Sequence, residues 1–353
     1  MSESLDFIGA SLSTRCDTDL AYIRLTLLQK KLDEGLKLLA DLVTGPTFPQ
    51  AEVEKQKQSV LASIKAKRDN PRQIARDKFY SALFPGSPYG RPVEGTETSV
   101  KGIEQKHLVD FYQRFYIPNR AILVVVGDTS HEETTEKLTA MLPSWRKGTL
   151  QGTSPPKVLA GTAKIIPVHK KLTQANIVMG HESVTRSNPN YYSLRVLNHI
   201  LGGGGLSSRL ADTIRNERGL AYSIYSHFSS GELTGRFQIS MQTKNKTAGE
   251  AIPIVREEIH KIRAGGVTEK ELQEAKDYLT GSFPLRLDTN RRVARFLGEV
   301  EYFGLGLDYM ERFPSLIRKV TREDVLRAAR KHLTPEKLIT VVVADLEKAK
   351  VRR

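Results

Sequence analysis

Residues 201–228 read LGGGGLSSRLADTIRNERGLAYSIYSHF, which predicts a mobile glycine-rich loop, a short helix, a tight turn and a strand. Either serine of the pair at 207–208 can cap the helix, and Leu210 and Ile214 fall on one helical face. Gly219 follows the last periodic residue, where glycine commonly ends a helix. The stretch therefore predicts a helix–turn–strand unit that the remainder of the chain holds in place.

Two side chains of this unit are candidates for a functional role. Arg215 falls in the last helical turn, and Tyr222 lies seven residues later near the start of the strand. A bidentate guanidinium and a phenol could thus be presented toward one cleft. The simpler interpretation is an arginine that suits a helix C-terminus and a tyrosine that suits a strand, and the local pattern alone favours it.

Motifs in the second half of the sequence resemble a known family. They are Ser-Arg-Leu at 208–210, Ile-Arg at 214–215, Arg-Gly-Leu-Ala-Tyr at 218–222 and, upstream, QANIVMGHESVTRSNPNYYSLRVLNHIL at 174–201. Together they closely resemble the second half of the M16 peptidases, the family of insulin-degrading enzyme and mitochondrial processing peptidase. The resemblance implies that Arg215 and Tyr222 bind the substrate backbone and help to stabilise the oxyanion formed at zinc.

The first half carries matching motifs, SPYGRPVEGTETSV at 87–100 and FYQRFYIPNRAILVVVGD at 111–128. The resemblance therefore covers nearly the whole chain. It implies an α+β fold of two homologous halves, similar to the LuxS/MPP-like metallohydrolases, each an antiparallel sheet with helices packed on one face. The first residues of the sequence match a point well inside the family's first domain. We therefore expect a first half that is truncated at its N-terminus and lacks the zinc motif.

Domain boundaries follow from length and composition. A chain of 353 residues fits two domains of about 150 to 200 residues. We predict a first domain at 1–150, a linker rich in Pro, Gly, Ser and Thr at 151–163, and a second domain at 164–353 that carries Arg215 and Tyr222.

Local patterns in the first half predict two strands within residues 10–29, followed by four helices and a final strand. The helices are expected at 32–43, 49–68, 72–83 and 104–115, and the strand at 121–127. The second half repeats this plan. An offset of 217 places Pro118 on Pro335 and VVVGD at 124–128 on VVVAD at 341–345, which supports two related halves without reference to any family.

Bulk composition narrows the function classes. The formal net charge is +14, but acidic and basic residues alternate and no aromatic–basic recognition module is present, so we do not expect nucleic acid as a partner. There is no run of eighteen apolar residues to predict a transmembrane segment, and MSESLDFIGASL lacks the features of a signal peptide. The compartment stays open: a soluble protein, periplasmic or cytoplasmic if bacterial.

Zinc ligands decide whether such a chain acts alone. M16 peptidases carry His-x-x-Glu-His on a helix and a further glutamate ligand downstream. Of the eight histidines here, no two lie closer than twelve residues, so no helix can present a pair at i and i+4. Ser63 is the best counterpart of the third ligand, and no carboxylate occurs between Glu54 and Asp69. We therefore predict no metal ligands and no zinc on this chain.

Substrate contacts are expected elsewhere in the second half. We predict that peptide adds as a strand along a sheet edge near Gln174–Met179, with Gln174 and Asn176 as binding residues. Gly203 and Gly204 of the glycine run are further candidates, since members of the family use a glycine-rich loop to handle substrate. The run is not a phosphate loop, because no Gly-Lys-Ser/Thr follows it. His181-Glu182 could supply one pair of metal ligands but lacks partners, and surface side chains are the commoner case.

These observations favour the non-catalytic subunit of a heterodimeric zinc peptidase similar to the M16B group. Such a subunit binds peptide or unfolded polypeptide and supplies Arg215 and Tyr222 to zinc held by the His-x-x-Glu-His motif of a partner. One alternative is a stand-alone peptide-binding or structural protein, similar to the core subunits of the cytochrome bc1 complex. The other is a truncated zinc metallopeptidase, against which Ser63 argues.

Overall fold

The computed structural model describes residues 1–149 and 158–351. The strands are β1 (Ser11–Cys16), β2 (Ala21–Thr26), β3 (Lys164–His169), β4 (Gln174–Ser183), β5 (Ala221–Ser230), β6 (Gly235–Lys244) and β7 (Ile339–Ala344). The α-helices are α1 (Ser2–Phe7), α2 (Leu32–Thr44), α3 (Gln50–Lys67), α4 (Pro71–Leu83), α5 (Glu97–Lys101), α6 (Gln105–Phe115), α7 (His131–Met141), α8 (Tyr191–Asn198), α9 (Ala248–Gly265), α10 (Glu269–Gly281), α11 (Asn290–Tyr302), α12 (Tyr309–Arg318), α13 (Arg322–His332) and α14 (Leu346–Ala349). The four predicted helices and the predicted strand pair of the first half are confirmed to within one or two residues.

Two compact units divide the chain, and they do not follow the two sequence halves. Unit 1 holds Met1–Ile64, Leu285–Leu307 and the described residues of Val93–Ser154. Unit 2 holds Lys65–Pro92 and most of the second half. Each unit thus includes a helix from the other half, α4 in unit 2 and α11 in unit 1. The boundaries at 150 and 164 remain a prediction. Residues 151–157 of the predicted linker lie outside the described residues, and residues 158–163 form no regular element.

A five-stranded sheet forms the centre of unit 2, in the order β3-β7-β4-β6-β5. β4 pairs antiparallel with both β6 and β7, β5 pairs antiparallel with β6, and β3 pairs parallel with β7. The predicted α+β class is confirmed, with one parallel pair in an otherwise antiparallel sheet. The predicted edge at Gln174–Met179 is wrong, because β4 lies in the middle of the sheet and its neighbours occupy both sides.

The two faces of this sheet differ in chemistry. One face is apolar and fully buried, with Ile177, Met179, Ile239 and Phe237 among its residues. β6 alternates buried and half-buried positions up to the exposed Lys244 at its end, as expected of a strand with one covered face. The second face is therefore partly open.

Helix α4 covers only part of the second face. Phe79 of α4 is fully buried in a cluster with Val178 of β4 and with Val341 and Val343 of β7. Toward β6 and β5 the same face is polar, with residues such as Ser240 and Gln242 that are half-buried. The polar portion of this face ends at β5, which is an edge strand.

Unit 1 contains the antiparallel hairpin β1–β2, whose register runs from Ser11 opposite Thr26 to Cys16 opposite Ala21. Residues 121–127, predicted as a buried strand, form no strand in the described structure. Ile122, Leu123 and Val125 are between 40% and 53% exposed. The prediction is wrong for this segment, since its apolar residues have no neighbouring strand to pack in a sheet.

The internal repeat is visible in the helices. Adding 217 to the bounds of α6 gives the bounds of α13, and adding 217 to the 3₁₀ turn Pro118–Arg120 gives the turn Pro335–Lys337. The next segment of the second half is β7, which is paired on both sides. The two halves therefore share the helix and the turn and differ at the strand.

Candidate functional site

The helix–turn–strand unit forms as the sequence predicts. Residues 209–217 are helical, and Leu210 and Ile214 are fully buried on one face. Gly219 has a φ of 61°, a left-handed conformation that favours glycine, and the Leu220 amide donates to the Ile214 carbonyl at 2.9 Å. β5 begins at Ala221. The turn thus fixes the path of the chain between Arg215 and Tyr222.

A β-bulge positions Tyr222. Ala221 is paired with Thr243 and Ser223 with Gln242, so Tyr222 is an extra residue with no partner in the ladder. Bulges redirect side chains and occur often beside active sites. The side chain of Tyr222 is 73% exposed, although its neighbours Ala221 and Ile224 are buried. The bulge therefore turns the phenol outward.

Arg215 lies beside this phenol. Its guanidinium carbon is 5.9 Å from the centroid of the Tyr222 ring, within the range of a cation–π contact. In the described part of the chain, neither the Arg215 guanidinium nor the Tyr222 hydroxyl has a hydrogen-bond partner. Both donor groups are thus brought together and left available.

Arg209, which sequence reasoning did not single out, anchors the start of this helix. Its Nε and Nη2 donate to the two carboxylate oxygens of Glu271 at 2.6 and 2.7 Å, and Nη2 also donates to the Gly266 carbonyl at 3.1 Å. Burial alone would raise the pKa of Glu271, but the hydrogen bonds from Arg209 and the Thr268 amide lower the pKa to about 2. This fork-to-fork contact ties the helix to the corner between α9 and α10.

The glycine run at 202–205 differs from the predicted open loop. His199–Gly203 is a π-helical turn that continues α8, and Gly205–Ser207 is a 3₁₀ turn. A Cβ on Gly202 would lie 2.7 Å from the Ser226 amide nitrogen of β5, so the backbones are in close contact there. Gly203 is exposed and Gly204 half-buried, and their role in substrate binding stays a prediction.

The other two predicted binding residues lie on β4. Gln174 is half-buried and opposite Lys244, whereas Asn176 is only 5% exposed and opposite Gln242. Gln242 is also opposite Ser223, the residue after Tyr222, so Asn176 lies two strands from the Arg215–Tyr222 pair, about 10 Å in strand spacings. Among the described residues, no hydrogen bond joins the pair to either of these side chains.

His181, expected on the surface rather than in a metal site, is a core residue that is 2% exposed. Its Nδ1 bonds to the Glu182 carbonyl at 2.6 Å and its Nε2 accepts from the Thr334 amide at 3.2 Å. Burial lowers the pKa of His181 to about 4. Both ring nitrogens are occupied by backbone groups, so the ring holds β4 against the end of α13 as a neutral imidazole.

Comparison with known proteins identifies the fold. The family model described as "Peptidase M16 inactive domain" matches residues 102–279, and the model "Insulinase (Peptidase family M16)" matches residues 1–97. The chain belongs to the peptidase M16 family. The resemblance stated from the motifs is therefore confirmed.

Several M16 relatives are similar over most of the chain. One, from Bacillus subtilis, is named "Uncharacterized zinc protease YmxG" and is 29% identical over 84% of this chain and 71% of the relative. Another, from Helicobacter pylori, is named "Non-peptidase homolog YmxG" and is 27% identical over 99% of this chain and 81% of the relative. A crystal structure described as a peptidase M16 inactive domain from Pseudomonas fluorescens superposes with a TM-score of 0.91, at 27% identity over 97% of this chain and 82% of that chain.

Residues 1–149 and 158–351 contain no group of three or more His, Cys, Asp or Glu side chains placed to hold a metal ion. Ser63, the counterpart of the third ligand, is exposed on α3. The absence of zinc from this chain remains a prediction of its sequence. In the same residues, no helix is both long and apolar enough to cross a membrane.

Proposed function

We propose that this chain is the non-catalytic subunit of a heterodimeric M16 zinc peptidase, in which it binds peptide and supplies Arg215 and Tyr222 to the zinc site of a partner. The observation that carries the proposal is the Arg215–Tyr222 pair, which lies at a bulge with neither donor group bonded to a described residue, in a chain whose sequence lacks the zinc motif. Membership of the M16 family supports peptide as the substrate class.

The chemistry divides naturally between two chains. The partner would hold zinc through His-x-x-Glu-His and activate the attacking water. On this chain, the Tyr222 hydroxyl would donate to the oxyanion that develops on the peptide carbonyl, and the Arg215 guanidinium would bind backbone carbonyls of the peptide. Tyr222 is well suited to this role because it is exposed and its hydroxyl has no competing hydrogen bond to any described residue.

Reconstitution tests the proposal. The chain would be purified with an M16 subunit from the same genome that carries His-x-x-Glu-His, and cleavage of an unfolded polypeptide would be measured for each subunit and for the mixture. We expect activity from the mixture that a zinc chelator removes, and none from this chain alone. If the partner is fully active alone and the mixture adds nothing, the proposal fails.

A second candidate function is a peptide-binding or structural M16 protein with no catalytic partner. The relative named "Non-peptidase homolog YmxG" favours this candidate. The same reconstitution separates the two, because a stand-alone binder would bind unfolded polypeptide without forming a complex with a zinc-carrying subunit.

A further inference from the structure

A polar cleft lies in unit 2, between the start of α4 and the open part of the sheet. Its volume is about 260 Å³, and its walls include Arg72 and Arg76 of α4, Asn176 of β4, Tyr225 of β5, and Ser240 and Gln242 of β6. The cleft is smaller than the roughly 300–1,000 Å³ of sites for drug-sized ligands. It can therefore take one or two residues of a peptide rather than a larger molecule.

Positive charge is concentrated in this cleft. Arg72 Nη2 donates to Gln242 Oε1 at 2.6 Å, and Arg76 Nη2 donates to Gln73 Oε1 at 2.5 Å. Both partners are neutral amides, and each guanidinium has five N–H donors, so most of each fork is unused. No aspartate or glutamate is among the described residues that line the cleft. The two charges are thus left without an anionic partner.

Asn176 gives independent evidence of a ligand. The residue is only 5% exposed and lines the cleft, and its side chain makes no hydrogen bond to any residue that the structure describes. Buried side-chain amides are nearly always paired in folded proteins. An unpaired amide in the wall of a positively charged cleft marks a position where a ligand oxygen can accept a hydrogen bond.

The helix terminus itself is not the binding group. Asn70 caps α4 and its Oδ1 accepts from the Arg72 and Gln73 amides, at 3.0 and 3.2 Å. The backbone amides in the first turn of the helix therefore already donate to the Asn70 side chain. The donors that remain for a ligand are side chains. Two guanidinium forks and one carboxamide are the groups that recognise a carboxylate.

We propose that this cleft binds a carboxylate group of a peptide, through Arg72, Arg76 and the Asn176 amide. Ser223, which also lines the cleft, directly follows Tyr222 in β5. The bound carboxylate would thus lie close to the residue that follows Tyr222 in β5. The inference concerns binding by this chain alone and does not require a zinc-carrying partner.

Peptide binding to the full chain tests the inference. Three acetylated tripeptides would be titrated at low ionic strength while the Asn176 side-chain amide is followed by NMR: Ala-Ala-Ala with a free C-terminus, the same peptide amidated, and amidated Ala-Glu-Ala. We expect saturable binding and a shift of the Asn176 signal for one or both of the peptides with a carboxylate. The free-terminus and glutamate peptides distinguish a terminal carboxylate from a side-chain carboxylate.

Charge variants on one helix complete the test. Arg76→Gln removes a cleft charge, and we expect at least 10-fold weaker binding of the carboxylate peptide. Lys78→Gln is the matched control, because Lys78 is exposed on the same helix and does not line the cleft. Equal binding of the amidated Ala-Ala-Ala peptide, undiminished binding to Arg76→Gln, or no binding of either carboxylate peptide would overturn the inference. This binding test is independent of the reconstitution, so a reconstituted pair without peptidase activity would not contradict the inference.

Discussion

The Arg209–Glu271 pair anchors the start of the helix that carries Arg215. Both side chains are largely buried, at 22% and 26% exposed, and the contact is bidentate. Glu271 also accepts from the Thr268 amide in the capping box that begins α10. The Glu271 carboxylate therefore accepts hydrogen bonds at the start of two helices, and the loss of its charge would weaken both sets of hydrogen bonds.

Replacing Glu271 with Gln should lower the free energy of unfolding at pH 7 by about 1.5–3 kcal/mol, the usual range for a hydrogen bond to a charged group. The folded-state pKa of Glu271 is about 2, below its ordinary value of 4.5. The stabilisation is thus complete above about pH 4.5 and is lost as the pH falls toward 2. Urea unfolding at several pH values measures the difference between wild type and variant, which should shrink across that range.

Glu274→Gln is the matched control for this prediction. Glu274 is on the same helix, is 66% exposed and contacts Lys270 at 3.9 Å, so its loss should change stability by less than about 0.5 kcal/mol. If Glu271→Gln behaves like Glu274→Gln at pH 7, the Arg209 contact does not anchor the helix.

Elements with a local pattern were predictable from the sequence, and elements set by distant pairing were not. The helical period in residues 32–43 and the alternation in the second strand predicted α2 and β2 closely. The central position of β4 depends on β7, more than 150 residues later, and no local pattern reports it. The bulge at Tyr222 is likewise a property of the β5–β6 register. The motif therefore predicted which residues form the site, whereas only the structure shows how their side chains are positioned.

The glycine run is the clearest case of a wrong local interpretation. Four consecutive glycines predicted a loop because glycine favours irregular backbone. In the structure, Gly202 is buried and its missing side chain allows the π-helical turn to lie against β5. The glycine is needed for close contact of two backbones rather than for freedom of the chain.

Gly202→Ala should therefore destabilise the protein by about 1–3 kcal/mol, as overpacking of a buried site commonly does. The added Cβ would lie 2.7 Å from a backbone nitrogen, which cannot move aside without shifting β5. Gly281→Ala is the control, since outside its own stretch of helix that glycine has no heavy atom within 4 Å of the added Cβ, and it should be neutral or slightly stabilising. Thermal melting compares the two, and equal melting temperatures would refute the close-contact account.

At the scale of the whole molecule, the two halves share a helix and the turn after it, and they differ in the segment that follows. Residues 339–343 are fully buried and paired on both sides, whereas residues 122–127 have no strand partner in the described structure. Native-state hydrogen exchange should therefore be slow for the amides of 341–343 and fast for those of 124–126. Comparable protection in both segments would show that the first half completes its sheet in solution.

The central claim is that Tyr222 donates a hydrogen bond to the transition state on a partner's zinc. The measurement that tests it most directly is the turnover of the reconstituted pair with Tyr222→Phe, beside Tyr278→Phe, which removes the hydroxyl of another exposed tyrosine. We expect turnover to fall by about 10²–10³ with Tyr222→Phe, as for loss of one preorganised donor, with KM and melting temperature little changed and Tyr278→Phe like wild type. Full turnover by a folded Tyr222→Phe complex would contradict the claim.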